Sequence, residues 1–280
     1  MYLQFFRVFD WVHVLGLTML GFIFASGTNI NPFRFIIALL ISALYLAHGY
    51  SLNECFDVII KHKPNRRNLF SESLIPFRVT MISSYVVLFL NGGISFLFSK
   101  HIFVLVLMGA VFAWLYSVPP LRLKEKPFLG ILCNSLGFSV LFLIGFSSVK
   151  TIDAQAILMT VFIFLLFLPI QLIHEINDLE DDKTEGIDTI AVKFGVRTTF
   201  YLITLFLIIL IGYAYILYHL LNIMIYFLLI TTFFSLALTL YLFRRFDRHS
   251  GKLNTQRLKI NVRYLCIIYG MGILLSFKNR

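Results

Sequence analysis

Charge is scarce in this chain. Only 14% of its 280 residues are Asp, Glu, Lys or Arg, against roughly 25% in a soluble globular domain. That scarcity excludes a disordered chain, which needs the opposite composition. Cysteine is also rare. Cys55, Cys133 and Cys266 lie in or beside apolar runs without metal-ligand spacing, so they read as small buried hydrophobes rather than redox or metal groups. No small-residue cleavage site precedes the first long apolar run, and Arg7 and Asp10 stand near the N-terminus; a signal peptide is not expected. What the chain has in abundance is apolar surface: 59% hydrophobic and 16% aromatic residues, with a mean hydropathy of +0.86. No water-soluble fold can hide that much. The apolar runs are long and continuous rather than short and alternating, which excludes a transmembrane barrel and predicts an all-α, multi-pass membrane bundle. The length suits one bundle, residues 1–280.

Spans of about 20 apolar residues are expected near Phe9–Gly27, Phe33–Asn53, Pro76–Ser99, Ile102–Val118, Phe128–Ser148, Ala154–Ile176, Thr198–Leu220, Asn222–Phe243 and Ile260–Phe277, about nine in all. Charge orients them. Of 24 Lys and Arg residues, only Arg34, Lys100, Lys150, Lys278 and Arg280 fall on one side, and the other nineteen fall opposite. The positive-inside rule then puts the N-terminus and the long loops in the cytoplasm. Topology therefore accounts for the net charge of +10, and nucleic acid is not an expected partner. The run from Arg244 to Arg263 reads as topology or anionic-lipid contact.

Acids are fewer still, and their placement is uneven. Of 14 Asp and Glu residues, eight lie at the cytoplasmic ends of the second and sixth spans: Glu54, Asp57, Glu175, Asp178, Glu180, Asp181, Asp182 and Glu185. Carboxylates at membrane depth are expensive and mark sites. Asn53 and Asp57 share a helix face by their i, i+4 spacing, as do Asp178 and Asp182. Two such helix ends facing each other form a cage of hard oxygen ligands that suits Mg²⁺ held jointly with phosphate oxygens. Cations stand beside each group. Lys61, Lys63, Arg66 and Arg67 follow the first, and Arg122, Lys124 and Lys126 follow the Tyr116-Ser117-Val118-Pro119-Pro120 break. A metal cage flanked by cations fits a diphosphate substrate, although the positive-inside rule alone explains cytoplasmic Lys and Arg equally well. His174 and Glu175, about one turn before Asp178, are placed to act as base or to bind an acceptor, and His174 can equally cap or bridge helices. Asn134 can line a cavity or bond between helices.

Three stretches occur in order at the ends of the second, fourth and sixth spans. They are Asn53-x-x-x-Asp57, Tyr116-Ser117-Val118-Pro119-Pro120-Leu121-Arg122-Leu123-Lys124, and Asp178-x-x-x-Asp182-x-x-x-Gly186-x-x-Thr189 followed by Lys193-Phe194-Gly195. Over essentially the whole chain this pattern resembles the UbiA superfamily of intramembrane prenyltransferases. The resemblance implies nine helices around a central cavity whose polar mouth faces the cytoplasm. It implies that Asn53, Asp57, Asp178 and Asp182 bind Mg²⁺ ions holding an isoprenyl diphosphate. It further implies that Tyr116, Arg122, Lys124 and the basic residues after the first motif contact the diphosphate. The first motif departs from the family pattern Asn-Asp-x-x-Asp-x-x-x-Asp. Glu54 takes the second place, and Lys61 stands where the last aspartate is expected. A lysine there can meet phosphate oxygens as a point charge.

The implied chemistry is Mg²⁺-dependent transfer of a prenyl group to a lipophilic acceptor, an aromatic or quinone precursor or a lipid. Departure of diphosphate leaves an allylic cation, which a dry cavity walled by some of the 31 Phe and 13 Tyr residues protects. A transporter or channel is the alternative outside enzymology. The acids crowd one face and no inverted repeat is visible, which argues against it. A cyclase, or a transferase moving a sugar phosphate onto a lipid phosphate, would keep the fold and change the product. The charge asymmetry makes a direct prediction. Cysteines introduced at Lys63, Arg122 and Lys183 are expected to react with an impermeant thiol reagent from the side opposite a cysteine at Lys150. Labelling of all four from one side overturns the orientation.

Overall fold

The structure is a computed structural model that describes residues 6–61, 77–221, 225–247, 252–253 and 258–277. Its ten helices are α1 (Val8–Ser26, with a 3₁₀ turn at Val12–Leu15), α2 (Pro32–Lys61), α3 (Phe77–Phe98), α4 (Lys100–Ser117), α5 (Leu129–Ser147), α6 (Ala154–Asn177), α7 (Leu179–Glu185), α8 (Ile190–Leu221), α9 (Ile225–Arg245) and α10 (Leu258–Phe277). Two paired two-residue strands, Phe246–Asp247 and Lys252–Leu253, follow α9. Among the described residues, eight helices are long and apolar enough to cross a membrane: α1 to α6, α8 and α9. The twenty-residue α10 packs against α1, α6 and α9. Together they make the multi-pass membrane bundle expected of the sequence. Helices are what a lipid core permits, because each backbone N–H and C=O must be satisfied within its own segment. Large apolar side chains point outward, with Leu97 87%, Phe89 79% and Phe233 74% exposed; in a bilayer that surface meets lipid.

Local signals set the boundaries. Asp153 caps α6 by accepting a 2.8 Å bond from the Ala156 N–H. Two prolines at Pro119 and Pro120 follow the end of α4. Gly186, at φ 70°, closes α7 in the left-handed conformation. Two spans differ from the expectation. The second runs on to Lys61 as one helix, which puts Asn53 and Asp57 on its final turns. The seventh begins earlier, at Ile190, and is interrupted at Gly195 (φ 80°, ψ 162°).

Helix α5 is the common wall. It contributes to both hydrophobic clusters, one built with α1, α2 and α4, the other with α1, α6, α8, α9 and α10. Its contact with α1 is backbone on backbone. A Cβ on Gly21 would stand 2.0 Å from the Phe142 carbonyl oxygen, and one on Gly145 would stand 2.0 Å from the Thr18 carbonyl oxygen. Small residues permit such crossings where lipid supplies no hydrophobic drive between helices. Buried polar bridges add specificity: Thr18 to Ser42 (2.7 Å), the Tyr45 hydroxyl to the Gly137 carbonyl (2.7 Å), and Thr231 to Tyr269 (3.0 Å). The ends of the bundle segregate as the charge count implies. Arg7 and Glu54 meet at one end, while Arg34 reaches the Ser148 carbonyl at the other.

Replacing Gly21 by Leu is therefore expected to prise α1 from α5 and lower the thermal midpoint in detergent by several degrees or abolish the folded fraction. Gly212→Ala, where a Cβ meets nothing within 4 Å, is expected to be neutral or slightly stabilising. Size-exclusion thermal challenge of both variants checks the contrast.

Candidate active site

A cavity of about 1580 Å³ opens among the helices. Eight residues singled out from the sequence line it together: Asn53, Asp57, Tyr116, Arg122, Lys124, Glu175, Asp178 and Asp182. They come from the ends of α2, α4 and α6, the turn after α4, and α7. Lys61 ends α2; Lys63, Arg66 and Arg67 lie outside the described residues. The rest of the lining is mixed, with the apolar Leu88, Val106, Ile163, Leu166 and Phe167 beside the polar His48 and Asn91.

The first motif is closed over by the turn after α4. Arg122 takes a left-handed backbone conformation (φ 35°), which turns the chain into the short 3₁₀ helix Leu123–Glu125. Its guanidinium Nη2 lies 3.0 Å from Asp57 Oδ1, and its Nη1 donates to the Ser117 carbonyl at 3.3 Å. Its Nε bonds Glu125. Lys124 Nζ donates to Asn53 Oδ1 at 2.8 Å and pairs with Asp57. Ser117 Oγ adds a 3.4 Å bond to Asn53. The turn reaches this position because Gly130 has no side chain: a Cβ there would lie 2.9 Å from the Leu123 oxygen and 3.0 Å from Lys124 Cα.

The second motif straddles a helix break. Asp178 caps the end of α6 (φ −97°, ψ 7°), and the Asp182 N–H still bonds the Asp178 carbonyl at 2.9 Å, so the one-turn relation survives. Asn177 Nδ2 donates to Asp178 Oδ1 at 2.7 Å. Glu175 Oε2 accepts from the Ala191 N–H at 3.3 Å, which ties the motif to the start of α8. Asn134 does both things considered for it: it lines the cavity and donates to Gln171 at 2.9 Å. His174 lines the cavity too.

Two groups were missed from the sequence. Gln171 also lines the cavity, and its signal was available: with Glu175, Asp178 and Asp182 it makes a polar stripe at helical spacing through an apolar run. Glu54 lines the same cavity as Asp57 and also meets the N-terminal segment, where Arg7 Nη1 lies 3.4 Å from its Oε2. Arg7 also bonds Asp10 at 2.9 Å, and Arg263 of α10 reaches Asp10 at 3.8 Å. A charge group joining α1, α2 and α10 leaves no periodic trace.

The model of the UbiA prenyltransferase family matches residues 14–263. The chain belongs to that family. The UbiA chain is 26% identical over 280 residues to a digeranylgeranylglyceryl phosphate synthase of Sulfurisphaera tokodaii, covering 98% of each. It is 26% identical over 202 residues to a lycopene elongase/hydratase of Haloarcula japonica, covering 68% of this chain and 66% of that one. Its fold matches a UbiA homologue from Archaeoglobus fulgidus, solved with GPP and Mg²⁺, at a TM-score of 0.80 and 20% identity, over 98% and 99% of the two chains.

The side chains present bear on whether Mg²⁺ fits. Among the described residues, no three His, Cys, Asp or Glu side chains cluster closely enough to hold a metal unaided. Asp178 and Asp182 nonetheless face the cavity, and one or two carboxylates completed by phosphate oxygens are the ordinary donor set for Mg²⁺. The second motif fits. At the first motif the oxygens of Asn53 and Asp57 are engaged by Lys124 and Arg122.

The dependence of the turn on Gly130 is testable. Gly130→Ala must move backbone on one side or the other, displacing Lys124. A roughly 10- to 100-fold fall in kcat/KM for a prenyl diphosphate is expected from a shift near 1 Å, with helical circular dichroism retained.

Proposed function

We propose that this UbiA prenyltransferase transfers the prenyl group of an isoprenyl diphosphate to a lipophilic acceptor inside the membrane, with its active-site loops facing the cytoplasm. One observation carries the reading: the cations Arg122 and Lys124 and the carboxylates Asp178 and Asp182 line a single cavity together with apolar side chains such as Leu88, Val106, Ile163 and Phe167. A diphosphate needs the charged groups; a prenyl chain needs the apolar ones.

In this mechanism the prenyl chain lies along the apolar wall and the diphosphate sits at the mouth. Arg122 and Lys124 donate to its oxygens, and Tyr116 closes the wall nearby. Asp178 and Asp182 hold Mg²⁺, which supplies charge neutralisation of the leaving group when bound. The allylic C–O bond breaks with both electrons going to diphosphate. Donors fixed before the reaction stabilise that charge without reorganising. The acceptor bonds the prenyl carbon and gives up a proton, which Glu175 accepts from its place on the cavity wall. Apolar walls keep water from the cation. The relatives matched at similar identity are named for different acceptors, so the reading stays with the chemistry they share. The cytoplasmic orientation rests on the excess of Lys and Arg at the motif-bearing end.

Purified protein incubated with Mg²⁺, a series of prenyl diphosphates and a panel of lipid and aromatic acceptors tests the proposal. Asp178→Asn and Asp182→Asn each keep size and remove charge, and turnover should fall by at least ~10²-fold, as when an electrostatic stabiliser is removed. Unchanged turnover in both variants, or after chelation of divalent ions, refutes it.

A further inference from the structure

One polar pair in the cavity wall has no role in the proposed transfer. Asn134 of α5 and Gln171 of α6 both line the cavity, and Asn134 Nδ2 donates to Gln171 Oε1 at 2.9 Å. Each amide carries a carbonyl acceptor and an amino donor. Two amides that serve only to tie helices together can close a ring of two bonds. This pair makes one. Among the described residues neither side chain has another hydrogen bond, so the Asn134 carbonyl oxygen and the Gln171 amino group remain. Exchanging donor and acceptor between the two amides leaves the same remainder. Neither group is sealed in the wall, unlike the Asn91 amide, whose nitrogen and oxygen are both buried without a partner.

The surroundings place the pair beside the chemistry. On α6, Gln171 precedes Glu175 by one turn and Asp178 by two, about 6 and about 10 Å along the axis. It therefore lies further into the span than Glu175, which takes the acceptor's proton in the proposed transfer. Gly130 and Gly137, one turn to either side of Asn134 on α5, also line the cavity and add no side chain there.

The remainder selects its ligand. A hydrocarbon would strand both groups away from water, which is costly. An ether or a ketone has no proton for the Asn134 oxygen. A phosphate or a carboxylate would bring negative charge against that oxygen. A hydroxyl meets both groups: its oxygen accepts from the Gln171 amino group, and its O–H donates to the Asn134 carbonyl.

We propose that Asn134 and Gln171 form the acceptor subsite of this enzyme, and that the acceptor is a hydroxyl-bearing molecule, an alcohol or a phenol, rather than a hydrocarbon isoprenoid. The inference rests on the proposed prenyl transfer and names the chemical class of its second substrate.

The test compares acceptors. The full chain in detergent is given Mg²⁺, the prenyl diphosphate it turns over fastest and, in separate reactions, hexadecylglycerol, hexadecylglycerol phosphate, nonylphenol or squalene. Transfer to at least one hydroxyl-bearing compound is expected, with kcat/KM at least ~10²-fold above that for squalene, because a site built to bond a hydroxyl rejects an analogue without one. Which of the three is used separates a lipid alcohol from a phenol. In Gln171→Met and in Asn134→Leu, KM for that acceptor is expected to rise about tenfold while KM for the prenyl diphosphate stays unchanged. Loss of the bond between the helices alone would lower the thermal midpoint and leave both KM values where they were. Transfer to squalene at a comparable rate overturns the inference and leaves prenyl transfer standing, and that comparison holds even if a variant fails to fold. An unchanged acceptor KM in both folded variants also overturns it, as does diphosphate turnover with no transfer to any hydroxyl-bearing compound. Failure of the wild-type protein to turn over any prenyl diphosphate strikes instead at the proposed function.

Discussion

Asp57 sits on the last turns of a membrane-crossing helix with 14% of its side chain exposed. A carboxylate so placed stays ionised only where positive charge comes to it, because desolvation there is costly. Much of the local architecture answers that demand. The chain leaving α4 turns sharply at Arg122, in a backbone conformation that L-residues seldom take, and folds back so that two cations reach one oxygen. Gly130 gives the turn room. Strain of this sort concentrates at functional sites and is held by surrounding contacts; here the contacts are the Ser117 carbonyl and Glu125.

The rest of the bundle divides its labour by depth. In the middle, where no water helps, helices meet through glycine crossings and a few buried hydroxyl bonds, and those contacts fix position without charge. The ionised groups that pair sit at the helix ends. Helix α5 links the two regimes, since its last turns, at Phe142 and Gly145, lie on the α1 backbone and its first turn carries Gly130 beneath Lys124. Packing between apolar helices thereby sets the geometry of an ionic site at the mouth.

The spans, the two acidic motifs and the side they share were legible because each is local: an apolar run, an i, i+4 spacing, a count of lysines and arginines. Interruptions were less so. The seventh span was expected to start at Thr198, just past the break at Gly195, but nothing in the sequence announced the helical stretch from Ile190 that precedes it. Pairings across the sequence were invisible. Asp57 meets Lys124 across 67 positions, and Glu54 meets Arg7 across 47; no periodicity carries such distances. Proximity in the sequence put Glu54 with Asp57, and both line the cavity, but it gave no sign that Glu54 also meets Arg7. Gln171 hid for a different reason: one neutral amide inside an apolar run draws no notice until its stripe with Asp178 is followed.

The contact between the last helix and the first has a consequence in time rather than in space. Arg263 of α10 reaches Asp10 and the Phe9 carbonyl, and both α1 and α10 line the cavity. A chain made from its N-terminus places α1 in the bilayer long before α10 exists. Until α10 has been made, the cavity lacks the wall that helix supplies, and Asp10 lacks Arg263. The chamber is thus completed well after the helices that carry its acidic motifs have been synthesised.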